Sequence, residues 1–241
     1  MQHLKDKDEK EIALHSNCKD PKFELCKTAL KNILSPTNQL NKAIFEVLKA
    51  LQKCKVLEIT NIHQITDNFI KLSEGLSSEL YEISSFISDI IQYFEILSND
   101  TAKANDLIDL LETSLSEPNE RMRCVKGLEN DLNNIANDLE FKDEVLNSKS
   151  CIVFHILYNP NIVNRIAIYE GIKPIKIQFK LLTSFWKTHN YLIDNLVKLL
   201  YDTKKSSCML KFLMDDFEMI SLWEKVKVKC EADYGRAMTL L

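Results

Sequence analysis

Residues 62–97 read IHQITDNFIKLSEGLSSELYEISSFISDIIQYFEIL, and their apolar side chains recur at intervals of three and four residues. This spacing places them on one face of a single α-helix and predicts a continuous apolar seam. Proline is absent from the stretch, and we expect a rod of about 54 Å at about 1.5 Å per residue. Such a rod needs partner helices of similar length, supplied by the same chain or by a second copy. The predicted core or dimer seam is Ile62, Ile65, Phe69, Leu72, Leu76, Leu80, Ile83, Ile87, Ile90, Phe94 and Leu97.

The composition of the whole chain predicts few and long helices. Its 241 residues include 4 Gly and 5 Pro, whereas sandwiches and barrels of this size need many turns rich in these residues. No apolar run reaches the length of about 18 residues that a membrane-spanning helix needs. We therefore predict an all-α fold, specifically an elongated bundle of long antiparallel helices.

Capping residues and prolines divide the chain. Asp20 followed by Pro21 predicts a helix start, because aspartate caps helices and proline suits the first helical position. We predict a flexible charged arm over residues 1–18, the long-helix domain over residues 19–202, and a C-terminal helix over residues 203–241 that packs on the bundle or extends it.

Residues 151–180 are the least regular part of the pattern. The run CIVFHILYNP fits a buried strand or a buried helix end, and we favour helix because no partner strand is evident. We expect Pro160, Gly171 and Pro174 to interrupt this region. A helical seam then resumes, in which we place Ile177, Leu181, Leu182, Phe185, Trp186, Tyr191, Leu192 and Leu196.

Residue patterns that support catalysis or metal binding are not evident. The seven cysteines are odd in number, widely spaced and never arranged as CxxC, which favours reduced thiols in a cytoplasmic protein. Cys151 and His155 share a helix face within an apolar run and fit core residues better than a nucleophilic pair. Asp106, Asp109 and Glu112 fit a solvated acidic face. We expect no enzyme, no cofactor and no metal.

Charge is distributed unevenly along the chain. Residues 61–140 carry 5 Lys and Arg against 16 Asp and Glu, while both ends are mildly basic and the whole chain has a net charge of -4. This balance does not favour nucleic-acid binding, which needs a focused basic excess. Three basic groups stand out as candidates for anionic lipid or as solubilising charges. They are Arg121, Arg123 and Lys126, then Lys173, Lys176 and Lys180, and finally Lys225, Lys227 and Lys229.

Two stretches resemble parts of BAR domains, in particular those of the oligophrenin/GRAF and ACAP-type proteins. The start Asp20-Pro21-Lys22-Phe23 is similar to the opening of their first long helix, and Ile177–Tyr201 is similar to the end of their third helix. The resemblance covers roughly residues 19–202. It implies a crescent-shaped antiparallel homodimer that binds curved anionic membranes through basic residues and contacts small GTPases.

Two hypotheses follow from the pattern and the resemblance. The first is a non-enzymatic cytoplasmic scaffold that dimerises and binds anionic membrane peripherally, in trafficking or cytoskeletal organisation. The alternative is a helical-bundle adaptor or complex subunit that binds protein partners without membrane contact.

Overall fold

A computed structural model of the chain describes residues 21–35, 40–56, 62–99, 109, 111–112, 116–138, 160–201 and 217–240. All six elements assigned within these ranges are α-helices, which confirms the predicted all-α class. In chain order they are α1 (Pro21–Leu34), α2 (Leu40–Val56), α3 (Ile62–Asn99), α4 (Ser116–Asp138), α5 (Pro160–Tyr201) and α6 (Phe217–Leu240). The predicted arm over residues 1–18 and the irregular run over residues 151–159 lie outside the described residues.

Helix α3 is the helix that the seam predicted. It runs unbroken for 38 residues and ends two residues beyond the predicted limit. All nine predicted seam residues from Ile62 to Ile90 are buried in this single chain, and the side chains of Phe94 and Leu97 lie outside the described ones. In the described part of the chain, the partners of this seam are therefore the protein's own helices.

Helix α5 corrects the expectation of an interrupted region. The helix is continuous from Pro160 to Tyr201, with Pro160 at its first position and both Gly171 and Pro174 inside it. Proline inside a helix removes one backbone hydrogen bond and costs about 3 kcal/mol. The buried side chains of Ile172 and Ile175 on either side of Pro174 supply the tertiary stabilisation that offsets this cost.

The register of the α5 seam also differs from the prediction. The buried positions include Ile168, Ile172, Ile175, Phe179 and Leu182, at steps of four, three, four and three. Ile177 was placed in the seam but is 55% exposed, and Tyr191 is 43% exposed. The prediction was wrong because the sequence alternates Ile175, Ile177 and Phe179, and periodicity alone does not choose between overlapping sets.

Contacts divide the chain into two compact units. The first unit comprises Met1–Leu34, Ile83–Met122 and Ser184–Val228, and the second comprises Ser35–Glu82, Arg123–Thr183 and Lys229–Leu241. Helix α1 belongs to the first unit and α2 to the second. Each of the other four helices contributes a part to both.

The core of the first unit is an aromatic cluster around His189. The Phe185 ring stacks on the His189 ring at a centroid distance of 3.9 Å, and Phe86 from α3 meets Trp186 edge-on at 5.2 Å. Trp223 from α6 approaches the same histidine. These side chains join α3, α5 and α6 through ring contacts, which are worth about 0.5–1.5 kcal/mol each beyond their buried area.

Small residues allow close helix packing in the second unit. Gly171 of α5 lies so close to Val47 of α2 that a Cβ atom there would overlap the valine methyl group. On α3, the buried Ser73 and Ser77 hydroxyls donate to carbonyls of their own helix, at 2.8 Å each. These polar groups are therefore satisfied without widening the helix spacing.

Candidate anion-binding surface

Helix α5 carries the predicted group of three lysines on its outer face, in the second unit. Lys173, Lys176 and Lys180 are all exposed. Ile177 lies four residues after Lys173 and three before Lys180, so the helix places it among the three ammonium groups. We call Lys173, Lys176, Ile177 and Lys180 the α5 patch. It consists of one exposed apolar side chain framed by three positive charges.

One of these lysines has an acidic neighbour. Lys173 Nζ donates to Glu170 Oε1 at 2.6 Å and lies 4.9 Å from the centroid of the Tyr169 ring. The hydrogen bond to Glu170 raises the pKa of Lys173. Among the described residues, Lys176 and Lys180 form no ion pair. Since an exposed pair three residues apart is worth only a few tenths of a kcal/mol, another anion can replace Glu170 at low cost.

The predicted basic group at the start of α4 is less available to a ligand. Arg123 and Lys126 are exposed near the start of α4, but Lys126 Nζ donates to Glu129 Oε2 at 2.6 Å. Arg121 is only partly exposed. This group therefore presents a weaker positive surface than its three charges suggest.

A buried cysteine–histidine pair lies in the first unit, and the sequence analysis missed it. Cys26 Sγ on α1 is 3.3 Å from His189 Nε2 on α5, and both side chains are fully buried. His189 Nδ1 lies 2.8 Å from the Phe185 carbonyl oxygen and Trp223 Nε1 lies 3.1 Å from His189 Nε2. The carbonyl can only accept and the indole can only donate, so Nδ1 carries the proton and Nε2 is the acceptor.

This pair is unsuited to nucleophilic catalysis. Burial raises the pKa of the Cys26 thiol to about 12 and lowers the pKa of His189 to about 4. Both groups are therefore neutral at physiological pH, whereas a catalytic cysteine needs a thiolate stabilised by positive charge. Cys26 and His189 are 163 residues apart. A spacing motif does not reveal such a pair, because only the packing of α1 on α5 brings them together.

The other chemical candidates give no catalytic or metal site in the described part of the chain. Glu112 accepts a hydrogen bond from the Tyr201 hydroxyl at 2.8 Å, and Asp109 is exposed. Asp106, Cys151 and His155 lie outside the described residues. Within those residues, no group of three or more His, Cys, Asp and Glu side chains is placed to hold a metal ion.

An open cleft of about 250 Å³ lies between α3 and α4 in the second unit. Its polar lining combines one ammonium, one carboxylate and two carboxamides, together with two apolar side chains. The charges cancel and the polar side chains are mostly exposed, so the cleft selects no particular class of ligand. The lining residues are Asn68, Lys71, Leu72, Asp131, Asn134 and Ile135.

No known protein family, curated protein or solved structure matches this chain. The BAR-like architecture therefore stays a prediction. Of the helices that the structure describes, none combines the length and the hydropathy needed to cross a bilayer.

Proposed function

We propose that this chain is a non-enzymatic helical scaffold that binds anionic membrane surfaces through the α5 patch. The observation that supports it most directly is Ile177, which is 55% exposed on the outer face of a long helix and framed by three exposed lysines. An isoleucine at such a position leaves apolar surface in water. At a lipid headgroup layer, the phosphates neutralise the lysines while the apolar boundary covers the isoleucine.

The expected affinity of one patch is low. Each lysine near an anionic surface contributes about 1 kcal/mol, and burying the exposed part of Ile177 adds about 1 kcal/mol. A total of about 4 kcal/mol corresponds to weak and reversible attachment. Two patches on a homodimer of the BAR type would bind more tightly by avidity, because the second contact becomes intramolecular.

Vesicle sedimentation tests the proposal. We expect the protein to sediment with vesicles that contain phosphatidylserine but not with phosphatidylcholine alone. The combined change of Lys173→Glu, Lys176→Glu and Lys180→Glu should weaken sedimentation, because it reverses the charge of the patch. Unchanged sedimentation of this triple variant would refute a role for the α5 patch.

The matched control reverses three scattered charges. Lys71, Lys225 and Arg236 are exposed and lie on α3 and α6. Their change to Glu alters the net charge by the same amount without touching the α5 patch. We expect this control to keep most of the binding. Equal loss in both triple variants would show that net charge matters and that the patch does not.

The alternative function is a protein-binding scaffold without membrane contact. Tyr81 favours this function, because its side chain is 53% exposed. The centroids of the Tyr81 and Tyr234 rings are 5.5 Å apart. Exposed tyrosines are typical anchors of protein interfaces. This function predicts no sedimentation with vesicles of either composition, together with a stable complex that is weakened by Tyr81→Ala.

A further inference from the structure

Helix α2 carries a second surface built like the α5 patch, although its residues were not among the predicted basic groups. Lys42, Lys49 and Lys53 are exposed, and Phe45 between them is 45% exposed. Offsets of three, seven and eleven residues from Lys42 place all four side chains on one helix face. We call these four residues the α2 patch. The opposite face of α2 is buried in the second unit through Ile44, Val47, Leu48 and Leu51.

Phe45 is the unusual member of this patch. Large aromatic side chains are usually buried, and α2 has a well-formed apolar face that leaves Phe45 outside it. Lys49 Nζ lies 5.9 Å from the centroid of the Phe45 ring, within the range of a cation–π contact. The lysine covers only part of the ring, so apolar surface remains available to a partner.

The charges of the α2 patch are better placed for an anion than those of the α5 patch. Among the described residues, Lys42, Lys49 and Lys53 form no ion pair, whereas Lys173 is bound to Glu170. Helix α2 contains four lysines and one acidic residue, Glu46, although the net charge of the chain is -4. The positive charge is therefore local and does not follow from the composition of the chain.

We propose that the α2 patch is a second lipid-binding surface, with the Phe45 ring inserted at the headgroup level of an anionic membrane. Because α2 and α5 pack through Val47 and Gly171, on the faces opposite to their patches, the two patches point away from each other and each binds a membrane by itself. This inference rests on the proposed function, because it assumes that the chain binds anionic membranes. A lipid surface fits better than a nucleic acid, since Phe45 is the only aromatic residue of α2 and base stacking uses successive aromatic side chains. Binding to a lipid surface requires no shaped groove on the protein, and a single aromatic ring among ammonium groups suits the headgroup boundary.

Fluorescence of a Phe45→Trp variant tests this contact. The native Trp186 and Trp223 are buried, so lipid quenchers should leave their emission unchanged. With phosphatidylserine vesicles whose acyl chains are brominated, we expect quenching and a blue shift of the new indole, both reversed at high salt. A Tyr81→Trp variant provides the control, because Tyr81 is 53% exposed but no lysine of α3 lies within nine residues of it.

Neutralising two lysines tests the electrostatic contribution to the α2 contact. Added to the α5 triple variant, Lys42→Gln combined with Lys49→Gln should weaken the remaining vesicle binding about 30-fold, since one lysine near an anionic surface contributes a factor of about 5. Circular dichroism of each variant checks that the helices are intact. Wild-type sedimentation without quenching of Phe45→Trp, or without further loss of binding when the double change is added to the α5 triple variant, would overturn the α2 contact and leave the proposed function standing. Failure of the wild-type protein to sediment would remove both.

Discussion

His189 is held in one protonation state by its hydrogen bonds with Phe185 and Trp223. Its Nδ1–H donates to the Phe185 carbonyl, and its Nε2 accepts from the Trp223 indole. Protonation of Nε2 would place two N–H donors against each other in a buried site. Desolvation of the buried imidazole is the main cause of the lowered pKa of His189, and the hydrogen bond to the Phe185 carbonyl opposes it only in part.

The stability of the protein should therefore depend on His189 in mildly acidic solution. The folded pKa is about 4 and the unfolded pKa is about 6.5, so the unfolded state binds the proton first as the pH falls. The stabilisation is complete above pH of about 6.5 and is lost progressively below it. Between pH 6.5 and 5, we expect the free energy of unfolding to fall by about 2 kcal/mol, measured by urea denaturation.

Two variants separate this effect from other titrations. His189→Gln should remove the pH dependence in this window, because glutamine cannot be protonated there. His63→Gln should keep it, since His63 is exposed. Lys31 lowers the pKa of the exposed Glu218, whose stabilising effect is lost only at more acidic pH. A flat stability profile of the wild-type protein between pH 6.5 and 5 would contradict the assignment.

At the scale of elements, α5 contains the two residues that sequence rules exclude from helix interiors. Pro174 lacks the donor for its helical hydrogen bond, and Gly171 has low helix propensity. The site of Gly171 explains its presence, because a methyl group of Val47 occupies the space that a side chain would need. Close approach of α2 and α5 therefore requires glycine at this position.

Substitution of two glycines tests the packing of these helices. Gly171→Ala should lower the free energy of unfolding by about 1–2 kcal/mol, because overlap with the stiff Val47 side chain outweighs the gain in helix propensity. Gly127→Ala in α4 is the matched control, with no atom within 4 Å of the added Cβ. It should raise stability by about 0.5–1 kcal/mol, again measured by urea denaturation. A stabilising Gly171→Ala would contradict the α2–α5 contact.

The sequence predicted helix α3 well because its apolar pattern is long and regular. Helix α3 was predicted within two residues at its end, since eleven apolar residues at one phase leave no alternative register. On α5, Ile175 and Ile177 lie on nearly opposite faces, and only the neighbouring helices decide that Ile177 is outside. The exposed Ile177 and Phe45 define the candidate surfaces, but exposure is a tertiary property that periodicity does not supply.

For the whole molecule, the net charge does not show how positive and negative charges are distributed over the surface. The chain is acidic overall, yet both proposed patches are locally basic and each includes one exposed apolar side chain. The residues of α3 from Ile62 to Ile90 that were predicted as a core or dimer seam are already buried in one chain. A homodimer would therefore use other faces of the helices. Membrane binding then depends on the outer surfaces of α2 and α5, each of which meets an anionic layer by itself.

The most direct test is the affinity of the wild-type protein for phosphatidylserine vesicles as a function of salt. Electrostatic attachment through exposed lysines weakens as the Debye length falls from about 10 Å at 0.1 M to about 3 Å at 1 M salt. We predict measurable binding at 0.05 M NaCl, a decrease of more than about tenfold at 0.5 M, and no binding to phosphatidylcholine alone. Absence of binding at low salt, or equal binding at both salt concentrations, would contradict the account.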